Sequence, residues 1–161
     1  MIYAPTGLLL YKATRDGFTF KAFHDRCDNV PNTVTIIRNN LNFIFGGFTS
    51  ARWSSTLGSI SDSNAFIFSL RRSGTSNNNK LIIKSGETNN AIYGLSSYGP
   101  TFGDGRDIYI RDLSNTTTGS YSLLRSYTAP SYPPGSNSSL FLTGGWQNWL
   151  TTEIEVYQIF K

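Results

Sequence analysis

The stretch Thr-Thr-Glu-Ile-Glu-Val-Tyr-Gln-Ile-Phe (151–160) decides the fold, and Leu-Phe-Leu-Thr-Gly-Gly-Trp (140–146) leads into it. The stretch is rich in β-branched and aromatic residues and reads as a strand. Side chains alternate across a strand, so Glu153 and Glu155 share one face and Ile154 and Val156 the other. Two carboxylates in a segment that otherwise reads as buried strand form either a paired-acid site or a charged docking edge.

The same period-two reading extends outward from this strand. Gly7–Ala13 is a first strand, and Thr33–Arg38 with Asn42–Phe48 form a hairpin around Asn39-Asn40. Gly46-Gly47 inside the second arm signals a bulge or a close backbone approach. Ala65–Leu70 and Lys80–Lys84 are strands that bracket an exposed loop over Arg71–Asn79. Ala91–Gly94 and Asp107–Arg111 are shorter strands, the second after the turn signal Asp104-Gly105. Residues 113–139, with Pro130, Pro133 and Pro134, read as long loops around one weak strand near Ser122–Tyr127. Only one segment has helical spacing. Phe20, Phe23 and Cys27 recur at i, i+3, i+7 behind the cap candidate Thr19, which predicts a short helix over 19–28. The pattern predicts an all-β protein with one or two short helices, built as two packed antiparallel sheets in a single domain over 1–161.

Composition agrees and narrows the function. At 161 residues the chain can bury roughly 70% of its extended surface, so its core requires neither disulfide nor metal. The fourteen Lys/Arg against ten Asp/Glu are scattered, and only Arg71-Arg72 are adjacent, which argues against a nucleic-acid surface. The short apolar run Leu8–Tyr11 has neither a basic stretch before it nor a small-residue cleavage site after it. It is neither a signal peptide nor a membrane span. One cysteine allows no internal disulfide, and with the missing leader it leads to the expectation of an intracellular, cytoplasmic protein.

Several fragments occur in order at family spacing: Leu9-Leu10-Tyr11-Lys12-Ala13, Arg15-Asp16-Gly17-Phe18, Phe23-His24 with Cys27-Asp28, and Phe45-Gly46-Gly47-Phe48-Thr49. Trp53, Asp62 with Ala65–Leu70, Tyr98–Gly103, Asp107-Ile108, Tyr127 and Glu153–Tyr157 follow. Together they resemble a TLDc domain, the module of the oxidation-resistance family, in its stand-alone or BTB-linked form. The resemblance implies a sandwich of two antiparallel sheets with flanking short helices, and a role in protection against oxidative damage. Several members of that family bind the vacuolar proton-pumping ATPase and regulate its assembly. The resemblance carries over no catalytic residue.

Each chemical candidate has a plain structural counterpart. Glu153 and Glu155, with Cα atoms about 6.6 Å apart on a strand, approach the carboxylate separation of an inverting glycosidase. Such an enzyme also needs one acid of raised pKa and an aromatic cleft, for which Trp146 and Trp149 would serve. The alternative is a structural role, as charges on a solvated strand face, or a docking surface, in either of which the glutamates pair with basic residues such as Arg15 or Arg111; Arg15 and Asp16 belong to that docking surface. Cys27 and His24, three apart on the helix, form a candidate redox pair in which an imidazolium would favour the thiolate. Asp25 and Asp28 oppose this, as does the place of Cys27 on the apolar stripe. Asp104, Asp107 and Asp112 lack the spacing of a calcium loop, and one His and one Cys cannot make a zinc site. Trp53, Trp146 and Trp149 are a possible sugar-stacking platform. The reading expected from the sequence is a non-enzymatic module without cofactor or metal that binds a protein partner, the proton-pump subunits foremost. The alternative is a direct antioxidant module using Cys27 as a one-cysteine thiol.

Overall fold

The structure, a computed structural model, describes residues 6–129 and 138–160. Eight strands and three short α-helices follow in the order β1 (Gly7–Lys12), α1 (Ala13–Asp16), α2 (Phe20–Cys27), β2 (Thr33–Asn39), β3 (Ile44–Thr49), β4 (Thr56–Ile60), β5 (Phe66–Arg72), β6 (Thr75–Ile82), β7 (Ile92–Leu95), α3 (Ser138–Thr143) and β8 (Thr151–Ile159). A 3₁₀ turn spans Ser85–Asn90, before β7. Six strands form one antiparallel sheet in the order β1-β8-β2-β3-β5-β6, and β4 with β7 forms a second, small sheet. The last strand therefore lies between the first and the second.

Burial follows the alternation. Thr33, Thr35, Ile37 and Asn39 of β2 are buried, whereas Val34 and Ile36 are half-buried and Arg38 is exposed. On β8 the buried residues Ile154 and Val156 lie beside Ile37 and Thr35. Onto this inner face pack α2 and the long connections. Phe23 of α2 makes edge contacts with Tyr11 (5.9 Å between centroids) and Trp53 (5.2 Å), and Trp53 in turn meets Phe102 (5.6 Å). Thr19 caps α2 by accepting a hydrogen bond from the Ala22 amide at 3.1 Å, as its sequence position predicts.

Gly46-Gly47 is a close approach. A Cβ on Gly47 would stand 2.5 Å from the Phe102 ring on the inner side, and one on Gly46 would stand 1.8 Å from the Thr35 carbonyl oxygen. Only hydrogen fits at either position. Asp62 plays the corresponding role for the turn after β3. It accepts from the Thr49 hydroxyl (2.7 Å), the Ser50 hydroxyl (2.7 Å) and the Ser50 amide (2.6 Å). Burial works against its charge, but these donors outweigh it and hold the carboxyl below its usual range.

Three local expectations change. The loop expected over Arg71–Asn79 is a hairpin, in which Ser73 (φ 49°) and Gly74 (φ 81°) form a two-residue turn and β6 starts at Thr75. As an edge strand β6 has a single neighbour, so its Ser and Asn residues stay in water and give no apolar signal. The strand expected over Asp107–Arg111 consists of isolated bridges, Ile108 to Phe102 and Tyr109 to Tyr121. Tyr127 likewise makes one bridge, to Ile83, where a weak strand was expected. Strand β4, the 3₁₀ turn and α3 have no counterpart in the sequence reading. Pro130, Pro133 and Pro134 lie outside the described residues.

Candidate functional site

The alternation that buries Ile154 and Val156 turns Glu153 and Glu155 to the outer face of the large sheet. There Glu155 stands opposite Lys12 of β1 and Ile36 of β2, and Glu153 opposite Arg38. Lys12 is the organising residue. Its ammonium lies 2.9 Å from Glu155 and 3.8 Å from Glu153, while its own amide donates to Asp16 at 2.9 Å. Glu153 also accepts from the Thr14 amide (3.1 Å) and the Thr14 hydroxyl, and Glu155 accepts from the Tyr157 hydroxyl (2.8 Å). Burial opposes the charge on Glu155, but the Lys12 and Tyr157 donors outweigh it and hold this carboxyl below its usual range. The same contact with Glu155 raises Lys12. Together Lys12, Ile36, Arg38, Ile44, Glu153 and Glu155 line an open cleft of about 440 Å³.

Ile36 also belongs to a second, apolar hollow beside the first, over Val34, Phe66, Phe68 and Leu70. Phe48 stacks on Phe66 (5.3 Å), and Lys80 stands 4.2 Å over the Phe66 ring. One face of one sheet thus carries a charged corner continuous with an apolar floor. Such mixed surfaces are typical of protein interfaces.

The expected partners of the glutamates change here. Arg15 does not reach them. Its guanidinium makes a bidentate pair with Asp16, with Nε and Nη2 each at 2.8 Å, and the Arg111 guanidinium donates to the Thr118 carbonyl. Asp16 has a side chain only 4% exposed and also contacts Arg26 at 3.2 Å. The Arg15 contact outweighs desolvation and holds its carboxyl at about 2. Asp16 is therefore a buried junction of α1, α2 and β1, and only the Arg15 side chain, 47% exposed, offers charge to a partner. Glu153, Glu155 and Asp16 converge on Lys12, a residue that sequence reasoning missed. Antiparallel pairing of the first and last strands is the signal that would have found it.

The arrangement does not favour glycoside hydrolysis. That chemistry requires a carboxylic acid of raised pKa, and Glu155 is shifted the opposite way by a bound ammonium. The tryptophan platform fails as well, since Trp53 and Trp149 are core residues at 1% and 0% exposure and only Trp146, at 46%, meets solvent.

Cys27 and His24 do not form a redox pair. Cys27 is fully buried, and burial together with the nearby Asp28 and Asp16 pushes its thiol up, away from thiolate. Both imidazole nitrogens of His24 are engaged elsewhere. Nδ1 lies 2.7 Å from Asp28, and Nε2 lies 2.9 Å from the Leu95 carbonyl and 2.6 Å from that of Tyr98. His24 ties α2 to the segment after β7. In the 104–112 segment, Asp107 accepts from the amides of Arg125, Ser126 and Tyr127, and Asp112 accepts from the Phe20 amide. Both carboxylates thus serve the chain itself, and Gly103–Arg106 is a turn closed by the Arg106 amide on the Gly103 carbonyl. Among the described residues no group of three His, Cys, Asp or Glu side chains is placed to hold a metal.

The scaffold is a β-sandwich of one large and one small sheet, and its large sheet carries a charged and apolar outer face. The chain belongs to the TLDc family, whose domain model matches residues 4–160. That membership ties it to oxidative-stress biology. No curated protein matches the chain. No helix among the described residues is long and apolar enough to cross a membrane.

Proposed function

We propose that this chain is a non-enzymatic docking module whose outer sheet face binds a subunit of a partner assembly, with the vacuolar proton-pumping ATPase as that assembly. Protection against oxidative damage then follows indirectly, through control of the pump in the cytoplasm. The observation that carries the reading is the junction at Ile36, where the Lys12–Glu153–Glu155 corner with Arg38 meets the apolar floor over Phe66 and Phe68. Apolar residues supply contact area, while the charges select the partner and fix its orientation. Arg38 is exposed and, among the described residues, has no ion-pair partner, so it is available to an acidic group on the partner. Arg15 extends the charged rim past β1.

The test is a pull-down with the purified chain from lysate of its own source, quantified by mass spectrometry. The wild type should enrich proton-pump subunits, and the E153K/E155K double variant should lose them. Because that variant also removes the Lys12 contacts, R38E serves as a second probe: it breaks no close ion pair and gives up only the longer-range attraction of Arg38 for Glu155. Equal enrichment by wild type and R38E, both folded by thermal melt, would reject the docking face.

A further inference from the structure

Away from the large sheet, five aromatic rings from four separate segments form an unbroken ladder. Tyr93 of β7 meets Tyr98 (4.9 Å between centroids), Tyr98 meets Tyr109 (5.8 Å), Tyr109 meets Tyr121 (5.1 Å) and Tyr121 meets Trp146 (5.5 Å). Paired backbone hydrogen bonds between Tyr109 and Tyr121, at 2.9 and 3.0 Å, fix the middle of the ladder. The tyrosines are all half-buried, so each shows water part of its ring. Trp146 closes the ladder. It is 46% exposed, whereas the other two tryptophans of the chain are in the core.

The ladder carries positive charge. The Arg106 guanidinium stands 5.0 Å from the Tyr98 ring centre and donates to the Tyr98 hydroxyl. The guanidinium of Arg111, an exposed residue two positions after Tyr109, donates to the Thr118 carbonyl at 3.2 Å. Among the described residues neither arginine pairs with a carboxylate.

We infer that the ladder from Tyr98 to Trp146, with Arg106 and Arg111 beside it, binds an acidic proline-rich segment of a partner protein in the polyproline II conformation. A polyproline II helix advances about 9 Å per three-residue turn. Successive ring centres from Tyr98 to Trp146 are 5.1–5.8 Å apart, so alternate rings lie at most about 11 Å apart, comparable with one turn of that helix. Rigid tyrosine and tryptophan rings suit proline because both partners are pre-ordered and little conformational freedom is lost on contact. The two arginines select carboxylates along one edge of that helix. This surface is built from other residues than the sheet face and stands or fails independently of it.

The experiment is a titration of the whole chain with a synthetic peptide of repeated Pro-Pro-Glu triplets, followed by Trp fluorescence and calorimetry. A peptide of equal charge with Gly-Ser in place of Pro-Pro, and a linear glucose oligosaccharide, are the competitors for the explanation. The expected result is saturable binding of the proline peptide alone, weakened at least about tenfold by W146A and by R106Q/R111Q, and retained by R38E, on the other surface. Equal binding of the Gly-Ser peptide, binding of the oligosaccharide instead, or no binding of any probe to the wild type overturns the proposal. The wild-type comparison of the two peptides decides the matter even where a variant fails to fold.

Discussion

The two faces of the six-stranded sheet are made by the same strands, yet they do opposite work. The inner face carries Ile37, Phe45, Ile67, Ile154 and Val156 against Phe23, Trp53 and Phe102, and water does not enter. The outer face carries Lys12, Arg38, Glu153 and Glu155 beside a half-open floor of Val34, Ile36 and Phe66. A shift of one residue in register would exchange the two sets. Stability therefore belongs to one side of the sheet and the proposed docking to the other, and mutations can separate them.

The sharpest break of that division is W53A. Trp53 is 1% exposed and holds Phe23, Phe102 and, through its indole N–H, the Thr33 hydroxyl at 2.8 Å. Its truncation should cost about 3–5 kcal/mol, read as a fall in the urea midpoint. G47A comes next. A Cβ 2.5 Å from the Phe102 ring forces that ring to move, which should cost about 1–3 kcal/mol.

Acid titration of unfolding tests the Lys12 corner from its buried side. Asp16 is held at about 2 against an ordinary value of 3.8, so its contribution is complete above pH 4 and is lost as pH falls toward 2. D16N should flatten that limb of the stability curve, and an unchanged limb would remove Asp16 from its role as junction. Asp107 works in the opposite sense. Burial pushes its carboxyl up to about 6 despite three amide donors, so its share of stability is present below pH 4 and declines as pH rises through 6.

The smallest effect should come from the outer face. R38E places a carboxylate opposite Glu153 and should cost no more than about 1 kcal/mol while weakening pump-subunit capture. A large loss of stability in R38E would mean that the outer face is structural after all. Cys27 should likewise react with dilute peroxide far more slowly than a free thiol, measured by sulfenic-acid trapping. Fast reaction would restore the thiol reading.

Much of this was legible in the sequence because it depends on local periods. The alternation in Thr33–Arg38 and Thr151–Phe160, the capped stripe of α2 and the glycine pair of β3 each carry their own signal. The polar strand β6 and the short β4 carry none. The first is an edge strand with little to bury, and the second pairs only with β7. Among the candidate site residues, Glu153 and Glu155 were visible, whereas Lys12 was not, because its relation to Glu155 spans 143 residues of chain.

The sequence by itself determined that the chain is a two-sheet β protein of the TLDc family and that its two late glutamates share one face. Residue type and spacing suffice for that, since side chains on a strand alternate regardless of what surrounds it. Tertiary structure alone decided which strands flank β8, which of three tryptophans stays in water, and that Asp16 is buried while Glu153 and Glu155 stay accessible. It also decided that four tyrosines and Trp146 stand in a row. These are relations between distant segments, and only the packing of the folded chain brings their atoms within reach of one another.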